Sequence, residues 1–150
     1  MRVKFVLNGK EVEVNVEPNE ILLNTLRHRL GVKSVKRGCE RGECGVCTVL
    51  LDDEPVYSCM LLTVQADGHR VTTIEGLYND ELYKKIISSF AEKGAIQCGF
   101  CTPGFILVAY ALLKKYGKVE PETVIKAIEG NLCRCTGYKK IIEAIVNASK

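Results

Sequence analysis

The sequence predicts an α+β chain in two parts, a mixed sheet crossed by one helix and then a four-helix bundle. Three observations carry that expectation. Apolar residues alternate with polar ones over residues 2–16 around an Asn8-Gly9 turn, the period of a half-buried hairpin. Beyond Asp80 the apolar residues recur at three- and four-residue intervals instead, the period of helices. Eight cysteines fall into two groups of four, one group in each part, with none between Cys59 and Cys98.

Taken in order, Val3, Phe5 and Leu7 alternate along a first strand, and Val12, Val14 and Val16 alternate on the return. Asn19 is expected to cap a helix over roughly Glu20 to Leu30, with Gly31 stopping it. Short strands are expected at Thr48–Leu51, Pro55–Ser58 and Arg70–Ile74. The pattern changes across Glu75–Asp80. Leu82, Ile86, Ile87 and Phe90 share one face of a helix that Gly94 should end. Thr102-Pro103 should open the next, with the threonine as cap and proline in the first turn. The run Phe105 to Leu113 is apolar almost all round, which marks a central helix or one buried against a partner. Val124, Ile125 and Ile128 mark a third helix ended by Gly130, and Ile141, Ile142, Ile145 and Val146 a fourth.

The bulk numbers narrow the function. At 150 residues, 47% hydrophobic and 26% charged, the chain can bury a core and is not disordered. No apolar run is long enough to cross a bilayer. The opening Met1-Arg2-Val3-Lys4-Phe5 has neither a signal-peptide core nor twin arginines, so a cytoplasmic location is the default expectation. The formal charge of +3 counts the cysteines as neutral. Eight thiolates around two oxidised 2Fe–2S cores, each core returning two positive charges, would bring it to about −1. The apparent basicity therefore gives no support to nucleic-acid binding.

The cysteine spacing carries the chemistry. Cys39, Cys44 and Cys47 read C-x4-C-x2-C and are followed by Cys59, the plant-type ferredoxin arrangement for a 2Fe–2S cluster. Cys98 and Cys101 form C-x2-C, and Cys133 and Cys135 form C-x-C. Disulfides would suit a secreted chain, and bridging Cys133 to Cys135 would strain disulfide geometry. Four-thiolate zinc is the alternative, chiefly for the second group, although zinc ribbons draw on paired C-x2-C turns. Iron–sulfur ligation suits both groups. Gly38, Gly42 and Gly45 interleave with the first cysteines, and glycine lets backbone N–H groups approach sulfur closely. His28 and His69 lie outside both groups, which argues against a Rieske centre. The first part therefore reads as a ferredoxin-like β-grasp domain over residues 1–76, the second as an all-helical 2Fe–2S domain over residues 77–150. In the second, two helix N-termini should converge on one negatively charged cluster.

The stretches Gly38–Cys47 (GCERGECGVC), Gln97–Gly104 (QCGFCTPG) and Gly130–Tyr138 (GNLCRCTGY) resemble the iron–sulfur part of the xanthine dehydrogenase and aldehyde oxidoreductase family. The resemblance runs over nearly the whole chain. It implies an electron-transfer subunit of a molybdenum hydroxylase, relaying electrons through two 2Fe–2S clusters between a molybdopterin on a large partner subunit and FAD on a medium one. It implies that the helical-domain cluster faces the pterin and the β-grasp cluster the flavin. Gln97 matches the family glutamine that hydrogen-bonds the pterin, and Cys135 matches the cluster ligand closest to it. The larger family enzymes continue into flavin and molybdenum domains, and no G-x-G-x-x-G or P-loop occurs here, so the chain resembles the separate small subunit of a split enzyme. It should not turn over substrate alone. A stand-alone two-cluster carrier or sensor is the competing function, and a zinc-stabilised interaction module a third.

Several residues have plainer readings. Lys33, Lys36, Arg37 and Arg41 around the first loop are either a solvated surface or a docking and charge-compensating set. His28 sits near a helix C-terminus, where the dipole favours it, and His69 reads as a surface residue. Tyr138 reads as core packing, and Arg134, between two cysteines, as a neighbour of the second site.

Overall fold

The computed structural model describes residues 1–150 as a five-stranded mixed sheet and a helical layer packed against it. Strands β1 (Arg2–Leu7) and β2 (Lys10–Asn15) form the hairpin, in register from Arg2 opposite Asn15 to Leu7 opposite Lys10. Asn8 and Gly9 both take positive φ, 50° and 81°, the backbone that a two-residue turn between twisted strands requires. Strands β3 (Thr48–Leu51), β4 (Glu54–Tyr57) and β5 (Arg70–Thr72) complete the sheet in the order β2-β1-β5-β3-β4. Only the β1–β5 pair is parallel.

The first helix departs from expectation. Asn19 does not cap it; Ile21 occupies the cap position without a side-chain hydrogen bond, and α1 spans only Leu22–Asn24 before widening into a π-helical turn at Thr25–Arg29. Tertiary hydrogen bonds explain the change. The Glu20 carboxylate accepts from the Thr25 hydroxyl and twice from the Arg29 guanidinium, each at 2.7 Å, and the Glu20 carbonyl accepts from Thr63 N–H at 2.8 Å. These bonds hold Glu20 outside the helix. Gly31 ends the turn at φ +70° as expected.

Four helices follow: α2 (Glu81–Glu92), α3 (Thr102–Tyr116), α4 (Pro121–Ile128) and α5 (Lys139–Ala148). Asp80 caps α2 through Tyr83 N–H at 3.0 Å. Thr102 is not the cap of α3. It lies buried in the first turn, and Cys101 stands at the cap position, its chain direction set by the loop that carries it. As its apolar composition predicts, α3 is central, packing on α2, α4 and strand β3. Its buried residues, among them Phe105, Ile106, Leu107 and Leu113, form one core with α2, α4 and α5, and Leu50 of β3 joins that core. Each large side chain removed from water there contributes about 1.5–3 kcal/mol. A second core lies between sheet and α1, built on Val3, Phe5, Leu22, Leu26 and Val49. No helix is long and apolar enough to cross a membrane.

Candidate metal centres

The first cysteine loop folds around its own sulfurs. Glu40, Gly42 and Gly45 take positive φ (52°, 75° and 71°), and the reversals turn successive N–H groups inward. Those of Arg41, Glu43 and Cys44 donate to Cys39 Sγ at 3.4, 3.3 and 3.4 Å, and Cys39 N–H donates to Cys44 Sγ at 3.4 Å. The three inward N–H groups bring the Cys39 thiol down to about 6, in the range where it is a thiolate at neutral pH. Gly38 leaves the room this needs, since a Cβ there would stand 2.7 Å from Cys44 Sγ. Cys47 and Cys59 lie deeper, both buried, and burial followed by the neighbouring Cys59 thiol pushes Cys47 up to about 12.

The second group comes together from helix ends far apart in sequence. Cys98 Sγ and Cys135 Sγ are 3.6 Å apart, both at the exposed surface, while Cys101 and Cys133 pair further in. Burial pushes Cys101 up to about 12, and Cys133 beside it adds to that. Burial also acts to raise Cys133, but donation from the Thr136 hydroxyl, Thr136 N–H and Cys135 N–H outweighs it and leaves the thiol below its usual value. Cys133 N–H in turn donates to the Tyr138 hydroxyl at 3.1 Å. Tyr138 caps α5 at φ +71° and meets Phe105 edge-on at 6.5 Å, so its ring is packing, as read from the sequence.

The thiols thus meet in four pairs: Cys39 with Cys44, Cys47 with Cys59, Cys98 with Cys135 and Cys101 with Cys133. A two-iron core asks for two thiolates on each iron, so the donor set fits two such cores. No three His, Cys, Asp or Glu side chains gather at one single-ion position. No disulfide forms among the eight.

A seam joins the two loops, and the sequence reading gave Tyr57, Asn131 and Leu132 no part in it. Leu132 N–H donates to the Cys44 carbonyl at 2.9 Å. Asn131 is 4% exposed, and its amide donates to the Gly45 carbonyl at 3.1 Å and to Thr48 Oγ1 at 3.4 Å. Tyr57 OH donates to the Gly130 carbonyl at 2.8 Å. The backbones touch closely: a Cβ at Gly45 would lie 2.4 Å from the Gly130 carbonyl oxygen, and one at Gly104 2.8 Å from that of Gly45. Gly104, inside the first turn of an apolar helix, was the one available signal, since a helical glycine costs stability unless packing requires it.

The charged residues divide. Arg37 pairs with Glu40 and Asn24, and Arg41 with Glu43 at 3.0 Å, so both arginines are spent largely within the loop. Lys33 reaches back to the Arg27 carbonyl at 3.2 Å. His28 is exposed, with Arg37 3.4 Å from its Nε2. His69 lies at the surface, where its Nδ1 meets Asp52 at 2.5 Å. Gln97 is exposed beside Cys98, and Ile96, Phe100 and Leu132, each within three residues of an exposed cysteine in sequence, are exposed apolar residues.

Comparison with known proteins agrees with this geometry. Residues 5–72 match the family described as a 2Fe-2S iron-sulfur cluster binding domain, and residues 73–146 that described as a 2Fe-2S binding domain. The chain is 48% identical over 143 residues to the nicotinate dehydrogenase small FeS subunit of Eubacterium barkeri, covering 95% of this chain and 91% of that protein. It is 38% identical over 151 residues to the xanthine dehydrogenase iron-sulfur-binding subunit of Escherichia coli O157:H7, covering 99% and 94%. Among solved structures, quinoline 2-oxidoreductase from Pseudomonas putida 86 superposes at a TM-score of 0.94 with 41% identity, over 99% of this chain and 93% of that one.

Proposed function

The chain belongs to the family of iron–sulfur subunits of the xanthine dehydrogenase and aldehyde oxidoreductase enzymes, and from that premise we propose that it relays electrons within a molybdenum hydroxylase complex. A large molybdopterin-binding subunit and a medium FAD-binding subunit are the partners in this reading. Each 2Fe–2S cluster, when bound, supplies one-electron redox chemistry. We assign the first to Cys39, Cys44, Cys47 and Cys59 in a β-grasp unit over residues 1–76. The second falls to Cys98, Cys101, Cys133 and Cys135 in a helical unit over residues 77–150.

The residues then divide the work. The inward N–H groups of Arg41, Glu43 and Cys44 hold the Cys39 sulfur as an anion. Buried Cys47 and Cys59 and half-buried Cys101 form the inner side of each site, where water reaches least. Gln97 and Cys135, both exposed, suit a face that docks on the pterin-bearing subunit. Exposed Met60, beside Gly42 of the first loop, suits the flavin side. The observation that carries the proposal is the seam. One hydrogen bond, Leu132 N–H to the Cys44 carbonyl, links a ligand of one site to the residue next to a ligand of the other. Electrons crossing the chain therefore have a short bonded route. A cytoplasmic location completes the reading.

Electron paramagnetic resonance of the anaerobically reduced protein tests this directly. Two distinct 2Fe–2S signals, about four irons per chain, and molybdenum and flavin subunits copurifying in stoichiometric amount are expected. A chain isolated with zinc and no signal would remove the proposal; two signals without partners would replace it with a free-standing carrier.

A further inference from the structure

Thr136 follows Cys135 directly in the second loop, with its hydroxyl committed. Its Oγ1 accepts Tyr138 N–H at 3.2 Å, and its proton points to Cys133 Sγ at 3.1 Å. That contact is shorter than the backbone N–H contacts to sulfur at Cys39, Cys44 and Cys133, which run from 3.3 to 3.4 Å. Thr136 N–H donates to the same sulfur at 3.4 Å, so one residue delivers two hydrogen bonds to one thiolate. Both residues are half-buried, where water competes little for the sulfur. No side-chain hydroxyl makes a comparable hydrogen bond to Cys39 or Cys44 in the first loop.

We propose that the Thr136 hydroxyl sets the reduction potential of the helical-domain cluster by hydrogen-bonding the Cys133 sulfur, acting as a positioning and tuning residue. The inference rests on the two-cluster reading above. Adding one electron to the cluster makes no bond, breaks none and moves no proton; it increases the negative charge carried by the ligand sulfurs. A donor aimed at one of those sulfurs is therefore worth more in the reduced state than in the oxidised one. Removing it disfavours reduction at that site alone. The plainer role, a turn former that orders residues 133–138, predicts no such selectivity once the cluster has assembled.

The test is a potentiometric titration of the complex as purified, following both 2Fe–2S signals in wild type, Thr136→Val and Thr136→Ser. Thr136→Val is expected to shift the helical-domain couple towards the oxidised form by about tenfold, equivalent to about 59 mV lower for a one-electron couple. The other couple should stay in place, and Thr136→Ser should restore the wild-type value. An unmoved potential in Thr136→Val, or equal movement of both couples, overturns the proposal. Should the valine variant fail to load iron, Thr136→Ala against Thr136→Ser isolates the same hydroxyl, and equal potentials in that pair overturn it too. Absence of a second signal in the wild type would instead overturn the two-cluster reading beneath it.

Discussion

Leu132 N–H donates to the carbonyl of Cys44 at 2.9 Å, a bond between residues on opposite sides of the chain's two cysteine sites. It is flanked by the buried amide of Asn131, which holds the Gly45 carbonyl at 3.1 Å. Two hydrogen bonds thus tie the loops to each other.

Asn131→Ala removes one of three donors to the Gly45 carbonyl, which keeps Thr48 N–H at 3.2 Å and the Thr48 hydroxyl at 2.6 Å. A loss of about 0.5–1.5 kcal/mol in unfolding free energy is expected, the net worth of one hydrogen bond across the seam. Electron exchange between the two clusters should slow as the loops separate. Anaerobic urea unfolding and pulse-radiolysis kinetics measure the two effects, and a variant as stable and as fast as wild type would show that the amide is dispensable.

Gly45→Ala and Gly9→Ala separate backbone strain from crowding. Both glycines take positive φ, 71° and 81°, but a Cβ at Gly9 meets nothing within 4 Å, whereas at Gly45 it would meet the Gly130 carbonyl at 2.4 Å. The Gly9 change should cost about 1 kcal/mol, from conformation alone. The Gly45 change should cost about 2–4 kcal/mol, since backbone cannot step aside as a flexible side chain can. Equal urea midpoints for the two variants would contradict the close contact.

Cys135→Ser removes one of a pair of sulfurs 3.6 Å apart in the second group and none in the first. One electron paramagnetic resonance signal should broaden or vanish while the other keeps its shape and integrated intensity. Loss of both in proportion would mean that the eight cysteines do not divide four and four.

Acid sensitivity should trace to Glu20. Donation from Arg29 lowers its carboxyl to about 2, with Thr25 assisting and the partial burial of Glu20 opposing. A folded value below the ordinary glutamate value of about 4.3 means that the ion pair adds stability above that pH. That stability drains away as pH falls towards 2. Arg29 is about half exposed, so solvent screening keeps the contribution well below what the shift alone implies. Glu20→Gln should therefore be less stable than wild type at pH 7, and the gap should narrow by pH 3.5. Thermal unfolding at the two pH values, followed by circular dichroism, measures it; a constant gap would assign the effect to lost packing.

What could be read from the sequence was whatever repeats along one dimension. The alternation of Val3, Phe5 and Leu7, the helical spacing of Leu82, Ile86 and Phe90, and the grouping of the cysteines each carry a period or a fixed interval. Features made by distant partners were not legible. Asn19 has the composition of a cap, but Thr63 and Arg29 take hold of Glu20 and delay the helix to Leu22. Thr102 likewise has a cap's composition, yet the loop places Cys101 there. Asn131 and Gly45 are 86 positions apart, and only the folded chain makes one the donor to the other. Thr136 falls between these cases: its motif was visible, its proton's destination was not.

The fit of Gly45 and Gly104 against carbonyl oxygens across the seam has a mechanical consequence. Tunnelling rates fall steeply with separation, so a relay built from two units joined by a hinge would flicker with every thermal swing. Glycine against carbonyl, with no side chain between, leaves no lever arm for such a swing. The contact works as a gauge block, fixing the gap between the two iron sites however the outer faces of the chain strain against their neighbours.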